Sequence, residues 1–252
     1  MLPPWRWALP EYHRSHHPRR HGHHHGPASR EKHHCAGKNH RARHPATLAV
    51  DYSIDQFLDL GSGVPTVGNV HEAAQRCHSR ARVAYVDWDA IAVHHARRLL
   101  GPEQTRVAVR QADVCEPEAV LTSPGVNGLL DFTRPVGILA LGILDITTPP
   151  IGAASLMARY RDACCHGSAL VVSNTAQLTA SDAQVSQINA LMAGSSTPML
   201  HWRSREQVAG LLPGSELLEP GVVPTAAWRA EQAVSEQEAA RANAYAAVGM
   251  LR

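Results

Sequence analysis

Three acidic residues fall at the ends of three successive short apolar runs. Asp59 closes Ile54–Leu60, Asp87 closes Arg82–Asp87, and Asp113 stands just beyond Thr105–Gln111. The first is followed at once by Gly61-Ser62-Gly63, where two glycines permit a tight turn and let a ligand approach the backbone. Asp87 comes about one strand-helix unit later, where a carboxylate can accept both hydroxyls of a ribose. Asp113 can accept from an adenine amino group while the Val114 amide faces a ring nitrogen, and Asp59 can accept from a cationic group beside the turn. Trp88 is placed to flank the base, and Asn69, His71 and Glu72 open the helix after the turn, where they can line the same pocket. Each residue also has a local reading: Asp59 and Asp113 as caps, Asp87 as a loop acid, Trp88 as an exposed aromatic, His71 as a satisfied structural histidine. Three acids at three strand ends, beside a glycine turn, favour a nucleoside pocket over three coincidences.

A dinucleotide would ask for more. Its fingerprint, G-x-G-x-x-G, carries a third glycine and aims a helix N-terminus at pyrophosphate, whereas Thr66 follows Pro65 at that place. No G-x-x-x-x-G-K-[ST] occurs, which removes the signature of an NTPase phosphate loop.

The elements that would hold these residues alternate strand and helix, the pattern of a mainly parallel sheet covered on both faces. Strands are expected at Ile54–Leu60, Arg82–Asp87, Thr105–Gln111, Pro135–Leu141, Ser168–Ser173, Glu216–Val223 and Tyr245–Leu251, which makes seven. Helices are expected at Asn69–Cys77, Ala90–Leu100, Pro117–Leu121 and Gly152–Cys165. Ser181 with Gln184, and Ser204 with Gln207, match the capping box and predict two further helix starts. Asp145, at the end of the fourth strand, can serve the second substrate of such a site or cap the helix beyond Pro149-Pro150.

Charge divides the chain in two. Residues 1–50 carry nine basic and two acidic side chains with eleven of the 17 histidines; the remaining fifteen basic and twenty acidic side chains give a body of −5 beneath a formal net charge of +2. An acidic body lacks the basic face that phosphate backbones require, so no nucleic-acid partner is expected. The five cysteines form no CxxC pair, which points away from a disulfide framework or a thiolate metal site and toward a reducing, cytoplasmic setting. No apolar run is long enough to cross a membrane. Residues 1–50 are expected as a disordered His/Arg/Pro-rich tail that binds metals adventitiously, and 51–252 as one domain. An altered reading frame near residues 45–52 would also produce so abrupt a change of texture.

The stretch Phe57-Leu-Asp-Leu-Gly-Ser-Gly-Val-Pro-Thr-Val-Gly-Asn-Val-His-Glu72 resembles the first motif of an actinobacterial family of S-adenosyl methyltransferases, once a domain of unknown function. Arg82–Asp89, Gln111–Val114, Asp131–Val136, Glu219–Pro224 and Tyr245–Gly249 resemble later segments of it, so the likeness spans Ile54 to the end of the chain. The resemblance implies a Rossmann-like class I methyltransferase, a seven-stranded, mostly parallel sheet with helices on both faces. It also implies S-adenosylmethionine as cofactor and a small-molecule methyl acceptor. By carry-over Asp59, Gly61, Ser62 and Gly63 surround the methionine part, Asp87 holds the ribose, and Asp113 the adenine. Two departures stand out: residues 1–50 show nothing like the family's usual N-terminal helical cover, and Leu144-Asp145-Ile146 replaces a Leu-His-Phe-like sequence. The alternatives are a non-catalytic protein that keeps the fold without its cover, or an NAD-dependent oxidoreductase.

Overall fold

The computed structural model describes residues 40–64, 68–101, 105–147, 151–193 and 200–252. In chain order the elements are α1 (His40–Asp51), β1 (Gln56–Leu60), α2 (Val70–Cys77), β2 (Arg82–Asp87), α3 (Ala90–Leu100) and β3 (Val107–Gln111). The short α4 (Pro117–Thr122) and α5 (Pro124–Asn127) lead to β4 (Gly137–Leu141), a 3-10 turn (Ile143–Asp145), α6 (Ala153–Asp162) and β5 (Ala169–Thr175). Then follow α7 (Asp182–Ala193), α8 (Arg205–Ala209), β6 (Glu216–Leu217), β7 (Val223–Pro224), α9 (Glu236–Ala240) and β8 (Ala244–Met250).

The strands form one sheet in the order β3-β2-β1-β4-β5-β8-β6, with β7 also paired to β8. Strands β1 to β5 run parallel, and β8 runs antiparallel to β5, β6 and β7. Among the described residues the count is eight rather than seven because the expected strand Glu216–Val223 is interrupted. Pro220 has no N–H to give a ladder, and Gly221 turns the chain at φ +76°, so only the two ends of the segment pair with β8.

Alternation along each strand sends side chains to two core layers. Leu58, Leu60, Ala84, Val86, Ile138, Ala140, Leu170 and Val172 pack with Val120, Leu156, Met157, Tyr160 and Val208 of α4, α6 and α8. Phe57, Val83, Tyr85, Leu139, Leu141 and Val171 face the other way, against Leu48 of α1, Val70 and Ala74 of α2, and Trp228. Both layers are needed because strands buried on both faces have no side that water could cover. The two expected capping boxes are present: Gln184 accepts from the Ser181 N–H at 2.8 Å before α7, and Gln207 does the same for Ser204 before α8.

The N-terminal boundary differs from expectation. The disordered tail was expected to run to residue 50, but α1 belongs to the folded body. Ala42, Ala46 and Ala49 recur at helical spacing, and with Leu48 they are buried. The Arg43 guanidinium donates to the carbonyls of Ala226 and Trp228 at 3.0 and 2.9 Å. The His44 ring lies against Trp228 with centroids 4.5 Å apart, and Arg229 pairs with Asp51 at 3.0 Å. Two side chains that read as part of a basic tail thus tie α1 to the segment before α9. Residues 1–39, with the dense histidines, lie outside the described residues.

Candidate active site

The chain leaves β1 toward β2 and β3 on one side and returns through β4 and β5 on the other, so the sheet's switch point lies between β1 and β4. Ligands of such sheets bind at this point, beyond the carboxyl ends of the strands. The glycine turn stands there. The N–H groups of Gly61 and Ser62 both donate to the Val86 carbonyl, at 2.8 and 3.1 Å, folding the chain sharply back after β1. Gly61 and Gly63 take φ of +68° and +64°, a region costly for any residue with a Cβ.

The same turn packs against the loop after β4. A Cβ on Gly61 would come within 2.5 Å of the Ile143 side chain, whereas one on Gly63 would meet no described atom within 4 Å. Both substitutions to alanine therefore carry about 1–2 kcal/mol of backbone strain, and only Gly61→Ala must also displace Ile143. Chemical denaturation should rank Gly61→Ala clearly below Gly63→Ala in stability. Equal losses would contradict the close approach at Ile143.

The predicted acids fall on adjacent strand ends. Asp59, 7% exposed, lies opposite Tyr85 in the β1–β2 register. Asp87 is the last residue of β2; its Oδ2 accepts from the Gly63 N–H at 2.7 Å and its Oδ1 from the Asp89 N–H at 2.9 Å. A carboxylate offers about four lone-pair directions, so each oxygen retains capacity for another donor. Asp113 Oδ1 accepts from the Cys115 N–H at 2.8 Å, an Asx-type turn before α4. The Val114 side chain is buried, its carbonyl accepts from the Tyr160 hydroxyl at 2.8 Å, and its N–H has no hydrogen-bond partner among the described residues. Burial, followed by the adjacent Asp113, pushes the Cys115 thiol up to about 11, which leaves it a poor nucleophile at neutral pH.

The remaining predicted residues take more varied roles. Ser62 is buried in the turn. Trp88 is 69% exposed beside Asp87, and its carbonyl accepts from Gln111. Asn69 is the N-cap of α2, with Glu72 folded back onto the Gly68 and Asn69 N–H groups at 3.1 and 3.2 Å, so these two serve the start of the helix. His71 is half-buried and meets Tyr85 through both its N–H and its ring Nδ1, at 2.9 and 2.8 Å. Burial lowers the pKa of His71 below the usual histidine value, against a smaller upward pull from Glu72.

Asp145 lies across the switch point in the 3-10 turn. It does not cap α6, whose N-cap is Gly152. Its Oδ2 instead accepts from the N–H and hydroxyl of Thr175, at 3.0 and 2.6 Å, tying the end of β4 to that of β5. Oδ1 is buried without a hydrogen-bond partner among the described residues. Burial raises the carboxyl to about 7, although the Thr175 donors and the charge of Arg203 pull it down. Arg203 in turn bonds the Leu144 carbonyl and the side-chain oxygen of Asn174. The sequence carries no local sign of this last group, because Thr175 and Asn174 come to it at the end of β5, paired beside β4, and Arg203 only after the chain returns beyond α7.

The sheet order, with an antiparallel strand inserted beside β5 and acids at the ends of β1, β2 and β3, defines a Rossmann-like methyltransferase. The chain belongs to the S-adenosyl methyltransferase family, whose model matches residues 21–252, and it is an S-adenosylmethionine-dependent methyltransferase. A protein of Thermobifida fusca YX assigned to the methyltransferases is similar in structure, with 35% identity and a TM-score of 0.76 over 84% of this chain and 79% of that one. A DUF574 family protein of Streptomyces avermitilis MA-4680 is 31% identical, with a TM-score of 0.77 over 84% of this chain and 81% of its own. No curated protein matches the sequence. The family match starts well before Ile54, so the expectation that family-like text begins only there is corrected, and with it the change of frame near residues 45–52. Among the described residues no helix is long and apolar enough to cross a membrane, and no three His, Cys, Asp or Glu side chains group as a metal site.

Proposed function

We propose that this methyltransferase acts on a small molecule, with S-adenosylmethionine held on the β1–β3 side of the switch point and the methyl acceptor on the β4–β5 side. The observation that carries this reading is the Asp87 carboxylate, held by two backbone N–H groups at the end of β2 with acceptor capacity to spare. Bound cofactor would supply an electrophilic methyl group on a sulfonium. The residues fit it in kind: Asp59 would accept from the ammonium, Asp87 from the ribose hydroxyls, and Asp113 with the Val114 amide would meet the adenine edge. The left-handed turn at Gly61 and Gly63 leaves backbone open to approach. Trp88, exposed next to Asp87, would offer a face to the base.

Methyl transfer from sulfur is an in-line displacement, so the protein's part is alignment and exclusion of water. On the acceptor side, Ile146 and Ile151 are exposed. Helix α7, no residue of which is fully buried, presents Val185, Ile188 and Met192 at helical spacing, all half-buried. Trp202 bonds Asn189 of α7 at 3.0 Å, and its neighbours His201 and Arg203 donate their N–H groups to the Asp145 and Thr175 carbonyls. Apolar side chains on these elements suit a partly apolar acceptor. Asp145 is the group proposed to receive a proton from acceptors that must lose one, since its raised pKa matches neutral conditions.

Calorimetry on the full chain should show S-adenosylhomocysteine binding in the micromolar range and no NAD binding. Labelled S-adenosylmethionine should transfer its methyl group to a component of a small-molecule extract. Absence of S-adenosylhomocysteine binding would sink the reading.

A further inference from the structure

Tyr85 and His71 form a pair that the adenosine pocket does not use. Tyr85 is buried, on the same sheet face as its register partner Asp59. Its hydroxyl oxygen accepts the backbone N–H of His71 at 2.9 Å and lies 2.8 Å from the ring Nδ1 of the same residue. The two rings meet edge to face, with centroids 5.8 Å apart.

The proton in the ring contact has two possible owners. A phenol is a far stronger acid than a neutral imidazole N–H, and neutral imidazole nitrogen is a far better acceptor than a phenol oxygen, so O–H···Nδ1 is the stronger arrangement. The oxygen is already accepting a backbone N–H, which disfavours a second ring donor at the same atom. With Nδ1 an acceptor, the neutral ring must carry its proton on Nε2, pointing away from Tyr85.

Resting on the cofactor reading above, we propose that Tyr85 fixes His71 as the Nε2–H tautomer, and that this N–H binds the α-carboxylate of S-adenosylmethionine. The amino-acid end of that cofactor carries one cation and one anion. Asp59 supplies an acceptor for the ammonium; the carboxylate needs a donor that stays a donor. His71 stands in the first turn of α2, directly beyond the glycine turn, on the side of the sheet that holds Asp59 and Tyr85. The start of a helix also favours an anion, although Glu72 occupies two of the amides just before it. His71 is thus a binding residue and Tyr85 its positioning residue.

Two ligands separate this contact from the rest of the pocket. S-adenosylhomocysteine carries the amino-acid end; 5′-methylthioadenosine has the same adenosine and lacks it. In the full chain, His71→Ala should weaken S-adenosylhomocysteine about tenfold, the loss of one hydrogen bond to a charged group, and leave methylthioadenosine unchanged. His71→Gln, whose side-chain N–H reaches toward the Nε2 position, should recover most of that loss. Nitrogen NMR of the imidazoles, with His71 assigned by difference from His71→Gln, should show the Nε2–H form in the wild type and a tautomer mixture in Tyr85→Phe. Equal weakening of both ligands, no weakening of either, or an Nδ1–H form in the wild type would overturn the inference. A wild-type chain that binds neither ligand would instead overturn the cofactor reading beneath it.

Discussion

Asp87→Ala should abolish most cofactor affinity while leaving a folded protein, with S-adenosylhomocysteine binding weakened about a hundredfold, or about 2.7 kcal/mol. The magnitude follows from what the carboxylate does. A hydrogen bond to a charged group contributes about 1.5–3 kcal/mol, and the ribose would bring two donors to Asp87, part of whose benefit is spent displacing water. The same carboxylate accepts from Gly63 and Asp89, so its removal also loosens the glycine turn. Thermal unfolding should show a loss of about 1–3 kcal/mol, less than two full charged hydrogen bonds because both N–H groups are only partly buried and water can replace the carboxylate. The turn keeps its other anchor, the Gly61 and Ser62 amides on the Val86 carbonyl, which is why the fold survives. The decisive comparison is between ligands: methylthioadenosine and S-adenosylhomocysteine, sharing one ribose, should lose affinity alike. A loss confined to S-adenosylhomocysteine would place Asp87 at the amino-acid end instead.

Strand β2 and helix α3 match their expected limits because apolar alternation, an N-cap at Asp89 and a stop at Gly101 all agree locally. The acids at the strand ends were legible for the same reason: each depends on residues within one strand-turn unit. Helix α1 was not, because Pro45 and a run of His and Arg mask the spacing of Ala42, Ala46 and Ala49, and its anchor at Trp228 lies some 180 residues away. The split of β6 and β7 was written in Pro220-Gly221, a breaker between the apolar pairs Leu217-Leu218 and Val222-Val223. Tyr85 could have been found from its place two residues before Asp87, on the face of Asp59, but its role depends on where α2 starts. The surroundings of Asp145 had no local signal at all, since Thr175 and Arg203 come from separate parts of the chain.

Asp145 therefore carries the second large prediction, and pH is the variable that exposes it. Its folded pKa of about 7 stands above the ordinary aspartate value of 3.8, with burial the dominant cause. A carboxyl of this kind binds its proton more tightly in the folded chain than in the unfolded one, so its contribution to stability is full below about pH 4 and is lost as pH rises toward 7. At about 1.4 kcal/mol for each pH unit, the loss across that window is on the order of 4 kcal/mol. Asp145→Asn keeps an oxygen for the Thr175 N–H and hydroxyl and cannot ionise. Its stability should match the wild type near pH 4 and exceed it by up to about that amount above pH 7, as denaturant titrations at a series of pH values would read. Parallel curves would mean that the carboxyl titrates at its usual pKa and that burial does not govern it. Turnover supplies the opposite sign. If the ionised carboxylate takes the acceptor's proton, the more stable Asn variant should lose methyl transfer above pH 7 while binding S-adenosylhomocysteine as the wild type does. A gain in stability with undiminished turnover would make Asp145 a structural tie between β4 and β5 alone.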